Sequence, residues 1–62
     1  MQMGKLLILG AGQYGLVAKE VAEVMGCFTQ IDFLDDHSEI AIGKLNDIDN
    51  IEYDVAFVAI GN

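Results

Sequence analysis

Leu6-Leu7-Ile8-Leu9-Gly10-Ala11-Gly12-Gln13-Tyr14-Gly15 is the stretch that decides the fold. Four apolar residues in a row fit a strand buried on both faces, as parallel strands are. The run stops at glycine, and the period then changes. Tyr14, Val17, Ala18, Val21, Ala22 and Met25 recur at three- and four-residue steps, which makes one face of a helix. Lys19, Glu20 and Glu23 lie off that stripe, and Gly26 is placed to end the helix in the left-handed conformation. Strand, glycine turn and helix therefore follow one another within about two dozen residues.

Outward from this unit the pattern continues. Ile31 to Leu34, interrupted by Asp32, reads as a second strand that stops at Asp35-Asp36. Residues 37–52 are mostly polar, with Ile40, Ile42, Leu45 and Ile48 scattered among them. A parallel crossover needs a dozen or more residues, so a short helix or an irregular connection is expected there. Asp54 to Ile60 is the third strand, ending at Gly61-Asn62. Right-handed crossovers set the first strand between the other two. The fold expected is α/β: a partial Rossmann-like parallel sheet of three strands in order 2-1-3, with one main helix, forming a single domain over 1–62. The first and third strands are apolar on both faces, and one helix cannot cover both. The chain is therefore expected to self-associate or to belong to a longer polypeptide.

Composition excludes several functions. Ten acids against three lysines give a net charge of −7 over 62 residues. That charge repels nucleic acid and anionic membranes. The apolar share, 53%, is too high for a disordered tail, and no apolar run approaches the length of a membrane span. The lone cysteine, Cys27, cannot form an intrachain disulfide, and it has no basic neighbour to activate it, so it reads as buried and inert. No cluster with metal-ligand spacing is present, and no metal is expected. Residues 1–9 are too short for a signal-peptide core, so the chain reads as cytoplasmic. Residues 1–19 carry +2 and no acid, while residues 20–62 carry −9. An acidic chain that keeps acids out of one stretch leaves that stretch open to an anion.

The anion has a place to go. Gly10, Gly12 and Gly15 match G-x-G-x-x-G after a strand and before a helix. Gly10 allows the tight turn, Gly12 lets a ligand approach the backbone, and Gly15 lets helix and strand pack closely. The unpaired amides of the first turn, with the helix dipole, suit a phosphate or diphosphate. Asp35, at the carboxyl edge of the sheet, is placed to accept hydrogen bonds from ribose hydroxyls or a base, with Asp36 beside it. Gly61 and Ile60 end the third strand on the same edge, where glycine admits a ligand and Ile60 can pack on a flat ring. His37 reads as a solvated loop residue, Asp32 as a structural or solvent-facing strand residue, and Met25 and Phe28 as core. No nucleophile–base–orienter set can be identified, so no catalytic residue is assigned.

The run from Leu7 to Val17 resembles the start of bacterial sugar acyltransferases of the sialic-acid O-acetyltransferase and bacillosamine N-acetyltransferase (NeuD/PglD-like) type. The resemblance continues through Val21-Ala22, Met25-Gly26, Phe33-Leu34-Asp35-Asp36 and Tyr53-Asp54, and closes with Val58-Ala59-Ile60-Gly61-Asn62. It implies a domain that binds a UDP-linked sugar acceptor. It also implies a trimeric parent enzyme whose C-terminal left-handed β-helix of hexapeptide repeats binds acetyl-coenzyme A and supplies a catalytic histidine. By position, the resemblance sets Gln13, Tyr14 and Gly15 at the diphosphate and sugar, Asp35 and Asp36 at the uridine, and Ile60 and Gly61 at the border of the nucleotide. The family has histidine where this chain has Tyr14, which donates one hydrogen bond but does not titrate near neutral pH. No hexapeptide repeat lies within the 62 residues, and His37 is not the counterpart of the catalytic histidine. The chain is thus expected to hold an acceptor, to bind no cofactor itself and to be inactive alone. Two other readings use the same residues. One is an NAD-binding half-domain of a dehydrogenase or regulatory sensor, with Asp35 on the ribose. The other is a self-associating interaction module with no ligand.

Overall fold

The computed structural model describes residues 4–60. Gly61, expected at the site, lies outside the described residues. The elements run β1 (Gly4–Leu9), α1 (Gln13–Met25), β2 (Phe28–Leu34), a 3-10 helix (Leu45–Asn50) and β3 (Val55–Val58). The three strands form one parallel sheet in order β2-β1-β3. This is the α/β, Rossmann-like arrangement that the sequence pattern implies.

Leu6 to Leu9 each have a partner in both neighbouring strands. Leu6 and Ile8 register with Ile31 and Phe33 on one side and with Val55 and Phe57 on the other. Alternation sends this set to one face, where α1 packs. Leu6, Ile8, Phe33, Ala11, Ala22 and Ala59 form the core cluster on that face, with Ala18 and Phe28 packed against it. Leu7 and Leu34 point to the opposite face and are fully buried, on the side where a right-handed crossover carries the connection between β2 and β3.

Helix α1 starts and stops for local reasons. Gly12 is its N-cap, and Gly26 closes it in the left-handed conformation at φ 66°, its N–H donating to Ala22 O at 3.2 Å. Of the stripe that spacing suggests, Ala18 and Ala22 turn inward and the larger residues do not. Gly15 and Ala22 are buried and Ala18 is half-buried, while Tyr14 (63%), Val21 (55%) and Met25 (57%) are exposed, as is Val17. The sheet therefore takes the small residues of the helix, and the large ones stand along its flank. Met25 is not core, and Phe28 is half-buried.

The other strands also depart slightly from expectation. β2 begins at Phe28, three residues before Ile31, because Gly4 and Lys5 extend the ladder to Phe28 and Gln30 through a small register shift. β3 is shorter than 54–60, yet Asp54 N–H donates to Lys5 O and Ala59 N–H to Leu9 O at 2.9 Å, so the pairing reaches one residue past each end. The connection is irregular until the 3-10 helix. Within it, Gly43 bridges to Leu34 and Ile42 N–H donates to Phe33 O, which covers the carboxyl end of the outer edge of β2. Cys27 is half-buried, not buried, and its Sγ donates to Met25 O. Asp32 is a half-buried strand residue that accepts from Gln30 Nε2. His37 is exposed in the turn after β2. Among the described residues no helix is long and apolar enough to cross a membrane.

Candidate functional site

The loop between β1 and α1 is held from three sides. Gly10 is buried with φ at 113°, a conformation that L side chains rarely adopt. Its N–H donates to Leu34 O at 2.7 Å, and a β-carbon on it would stand 3.0 Å from Ala59 O. Gly10 is thus wedged between the ends of β2 and β3. Gly15 closes the loop from the helix side, since a β-carbon there would run into the Gly10 carbonyl. Both glycines are required by backbone packing.

Gly12 differs from them. A β-carbon added to it would meet nothing within 4 Å, so its open side faces solvent. Its carbonyl accepts the first helical bond, from Leu16 N–H at 3.0 Å. The amides of Gln13, Tyr14 and Gly15 precede that bond and have no partner inside the helix. No acid lies in this first turn, and Gly12 brings no side chain to cap it. The helix dipole adds partial positive charge at the same point. The Gln13 and Tyr14 side chains are exposed.

Asp35 comes to the loop from the end of β2. Its Oδ2 accepts from Ala11 N–H at 2.8 Å and its Oδ1 from His37 N–H at 2.8 Å. The bond from Ala11, then that from His37, hold the carboxyl below the usual aspartate value. An acid therefore does reach the glycine loop, although none sits in the first turn of α1. Asp36 points elsewhere: its Oδ1 accepts from Leu45 N–H at 3.0 Å, tying the start of the 3-10 helix to the end of β2.

Ile60 reaches the loop from the third strand. Its side chain packs over Gly10, 3.1 Å from where a β-carbon would be, and is otherwise exposed. From there an open apolar groove of about 810 Å³ runs between α1 and β3. Gln13, Tyr14, Val17 and Val21 form one wall, and Phe57 (51% exposed) and Ile60 lie along the other. The structure thus brings Gly10, Gly12, Gln13, Tyr14, Gly15, Asp35 and Ile60 to one edge of the sheet. It commits Asp36 to the connection. The spacing of Val17 and Val21 suggested core, but they line the groove. Asp54 was missed as a structural anchor: its Oδ2 accepts from Lys5 N–H at 2.8 Å, and a β-carbon on Gly4, at φ 78°, would meet that carboxylate. The signal for it was an aspartate just before the third apolar run.

A family model described as the PglD N-terminal domain matches residues 5–62. The chain belongs to the PglD N-terminal domain family. No match was found among curated proteins or solved structures. The PglD N-terminal domain is the N-terminal part of a PglD-like acetyltransferase, and the matched residues include the glycine loop and the Asp35 strand end, which meet at Ala11.

Proposed function

We propose that this PglD N-terminal domain holds a UDP-linked sugar as the acceptor for acetyl transfer from acetyl-coenzyme A. The observation that carries the reading is the open Gly12 backbone beside three first-turn amides, flanked by Asp35 on one side and Ile60 on the other. The diphosphate would lie over Gly12, Gln13 and Tyr14. Asp35 would meet hydroxyl or imide donors of the nucleoside, and Ile60 would border the base. Gln13 and Tyr14, both exposed, would meet the sugar.

In the reaction, the sugar amine or hydroxyl attacks the thioester carbonyl and loses a proton to a general base, and the coenzyme A thiolate leaves. The residues of this chain supply none of those groups. Their part is to fix the acceptor so that attack becomes effectively unimolecular. Acetyl-coenzyme A, the catalytic histidine and the trimer belong to the β-helix domain of the proposed parent enzyme.

The test is an amide NMR titration with UDP and, separately, with NAD. Shifts at Gly12, Gly15 and Asp35 with UDP alone are expected. The same shifts with NAD alone would replace this reading by the dinucleotide one. Shifts with neither would favour an interaction module.

A further inference from the structure

The groove between α1 and β3 has no task in the binding of a UDP-linked sugar. Its volume, about 810 Å³, lies within the roughly 300–1,000 Å³ of small-molecule sites. The chain has ten acids and three lysines, yet none of the described residues that line the groove is charged. Gln13 and the Tyr14 hydroxyl are its polar side-chain groups, and both stand at one end. That end is the start of α1, beside the open Gly12 backbone. From there the wall follows α1 past Val17 and Val21 to Met25, a run of roughly 18 Å at 1.5 Å per residue. The opposite wall, Phe57 and Ile60, is apolar throughout.

Charge narrows the occupant. Residues 1–19 hold two lysines and no acid, and all ten acids follow them. Asp35 comes to the loop from the end of β2, on the side away from the groove. A ligand that matches this division is anionic at the loop and uncharged along the groove. A second copy of the chain matches it poorly, because each copy brings a net charge of −7 to the other. Two chains paired along the outer edge of β3 would meet in the plane of the sheet and leave the groove above it open. We propose that the groove binds the long apolar chain of a diphosphate ester whose diphosphate rests on the glycine loop. One end of such a diphosphate carries the chain and the other carries the acceptor sugar, so a lipid-linked acceptor is a second ligand class beside the UDP-linked one. The inference rests on the nucleotide-sugar reading for the diphosphate, but not for the nucleoside.

The test follows amide and methyl NMR signals of the 62-residue chain. Farnesyl diphosphate, kept below its micelle concentration, is titrated in one arm, and inorganic pyrophosphate, farnesol and UDP in three others. Farnesyl diphosphate should move the Gly12 amide together with the Val17 and Val21 methyl groups. It should bind about a hundredfold tighter than pyrophosphate, the effect of a few buried methylene groups, and more tightly than farnesol. Farnesyl diphosphate no tighter than pyrophosphate removes the chain from the groove and overturns the proposal. Farnesol as tight as farnesyl diphosphate overturns it too, by separating the groove from the loop. Methyl shifts that grow with protein concentration and ignore farnesyl diphosphate would give the groove to a second copy. Val21→Asn changes a side chain that is 55% exposed, so the fold is not at stake. It should weaken farnesyl diphosphate about tenfold and pyrophosphate not at all, and an unchanged farnesyl diphosphate affinity would again reject the groove. UDP silence with farnesyl diphosphate bound rejects only the nucleoside. UDP binding with no gain from the farnesyl chain rejects only this inference.

Discussion

Replacing Gly15 by alanine puts a methyl group against the Gly10 carbonyl, whose carbon would stand 2.9 Å away. Backbone cannot rotate aside as a side-chain tip can. The N-terminal turn of α1 must lift, and Ala22, Ala18 and Phe33 loosen with it. Forcing a methyl against backbone that cannot yield falls in the upper part of the usual overpacking range, about 2–3 kcal/mol. Alanine returns roughly 0.8–1 kcal/mol, because it is the better helix former. The net expected loss is about 1–2 kcal/mol, against a total of roughly 3–9 kcal/mol for a chain of this length. Gly12→Ala is the control. Its φ of −81° suits any residue and its added carbon meets nothing, so only the weaker N-cap preference is lost, about 0.5–1 kcal/mol. Urea denaturation followed by far-UV circular dichroism separates the two. With a slope of about 1 kcal/mol per molar, Gly15→Ala should lower the midpoint by about 1–2 M and Gly12→Ala by less than 1 M. The order should reverse in a UDP titration of the folded proteins, because open space for the proposed ligand lies beside the Gly12 α-carbon and not beside that of Gly15. Equal midpoints for the two variants, or a lower one for Gly12→Ala, would refute the reasoning from close approach.

Other expectations follow from the same contacts. Leu7→Ala removes a side chain fully buried on the face opposite α1 and should cost about 2–5 kcal/mol, enough to leave much of the chain unfolded at room temperature by circular dichroism. The Asp35 carboxyl is lowered in the folded chain, so its stabilising effect is complete above the ordinary aspartate range and fades as pH falls through the lowered value; the acid limb of a stability-against-pH curve should be shallower in Asp35→Asn. Val55 to Ile60 carry no charge, and Phe57 and Val58 are exposed along β3. Such an edge pairs readily with another strand, so sedimentation at tens of micromolar should show association, and a Phe57→Glu change should reduce it.

Much of this architecture could be read from the residues because the signals were local. Four consecutive apolar residues ending at Gly10 leave little alternative to a buried strand, and Gly26 marks its helix end by chemistry that needs no tertiary context. The register of β2 could not be read. Phe28-Thr29-Gln30 alternates poorly, and only the ladder to Gly4 and Lys5 draws it into the strand. The site was legible in part for the same reason. Gly10, Gly12 and Gly15 announce a loop by spacing. That Asp35 spends its hydrogen bonds on Ala11 and His37, and Asp36 on Leu45, depends on distances across the sheet edge that spacing does not encode.

The position of the apolar stripe joins these observations. The period of α1 names Tyr14, Val17, Ala18, Val21, Ala22 and Met25 as its inner face, but periodicity fixes only the direction of a stripe, not its distance from the sheet. Gly15 sets that distance. Because its α-carbon rests on the Gly10 backbone, the helix comes too close for large side chains, and Gly15, Ala18 and Ala22 take the contact. The helix turns accordingly, and its large residues stand over β3, where Phe57 faces them across open space. The close approach that shapes the glycine loop is thus also what opens the groove. A Gly15→Ala chain that still folds should therefore change both at once, with the Val17 and Val21 methyl resonances shifting together with the Gly12 amide. Independent responses at the two places would separate them.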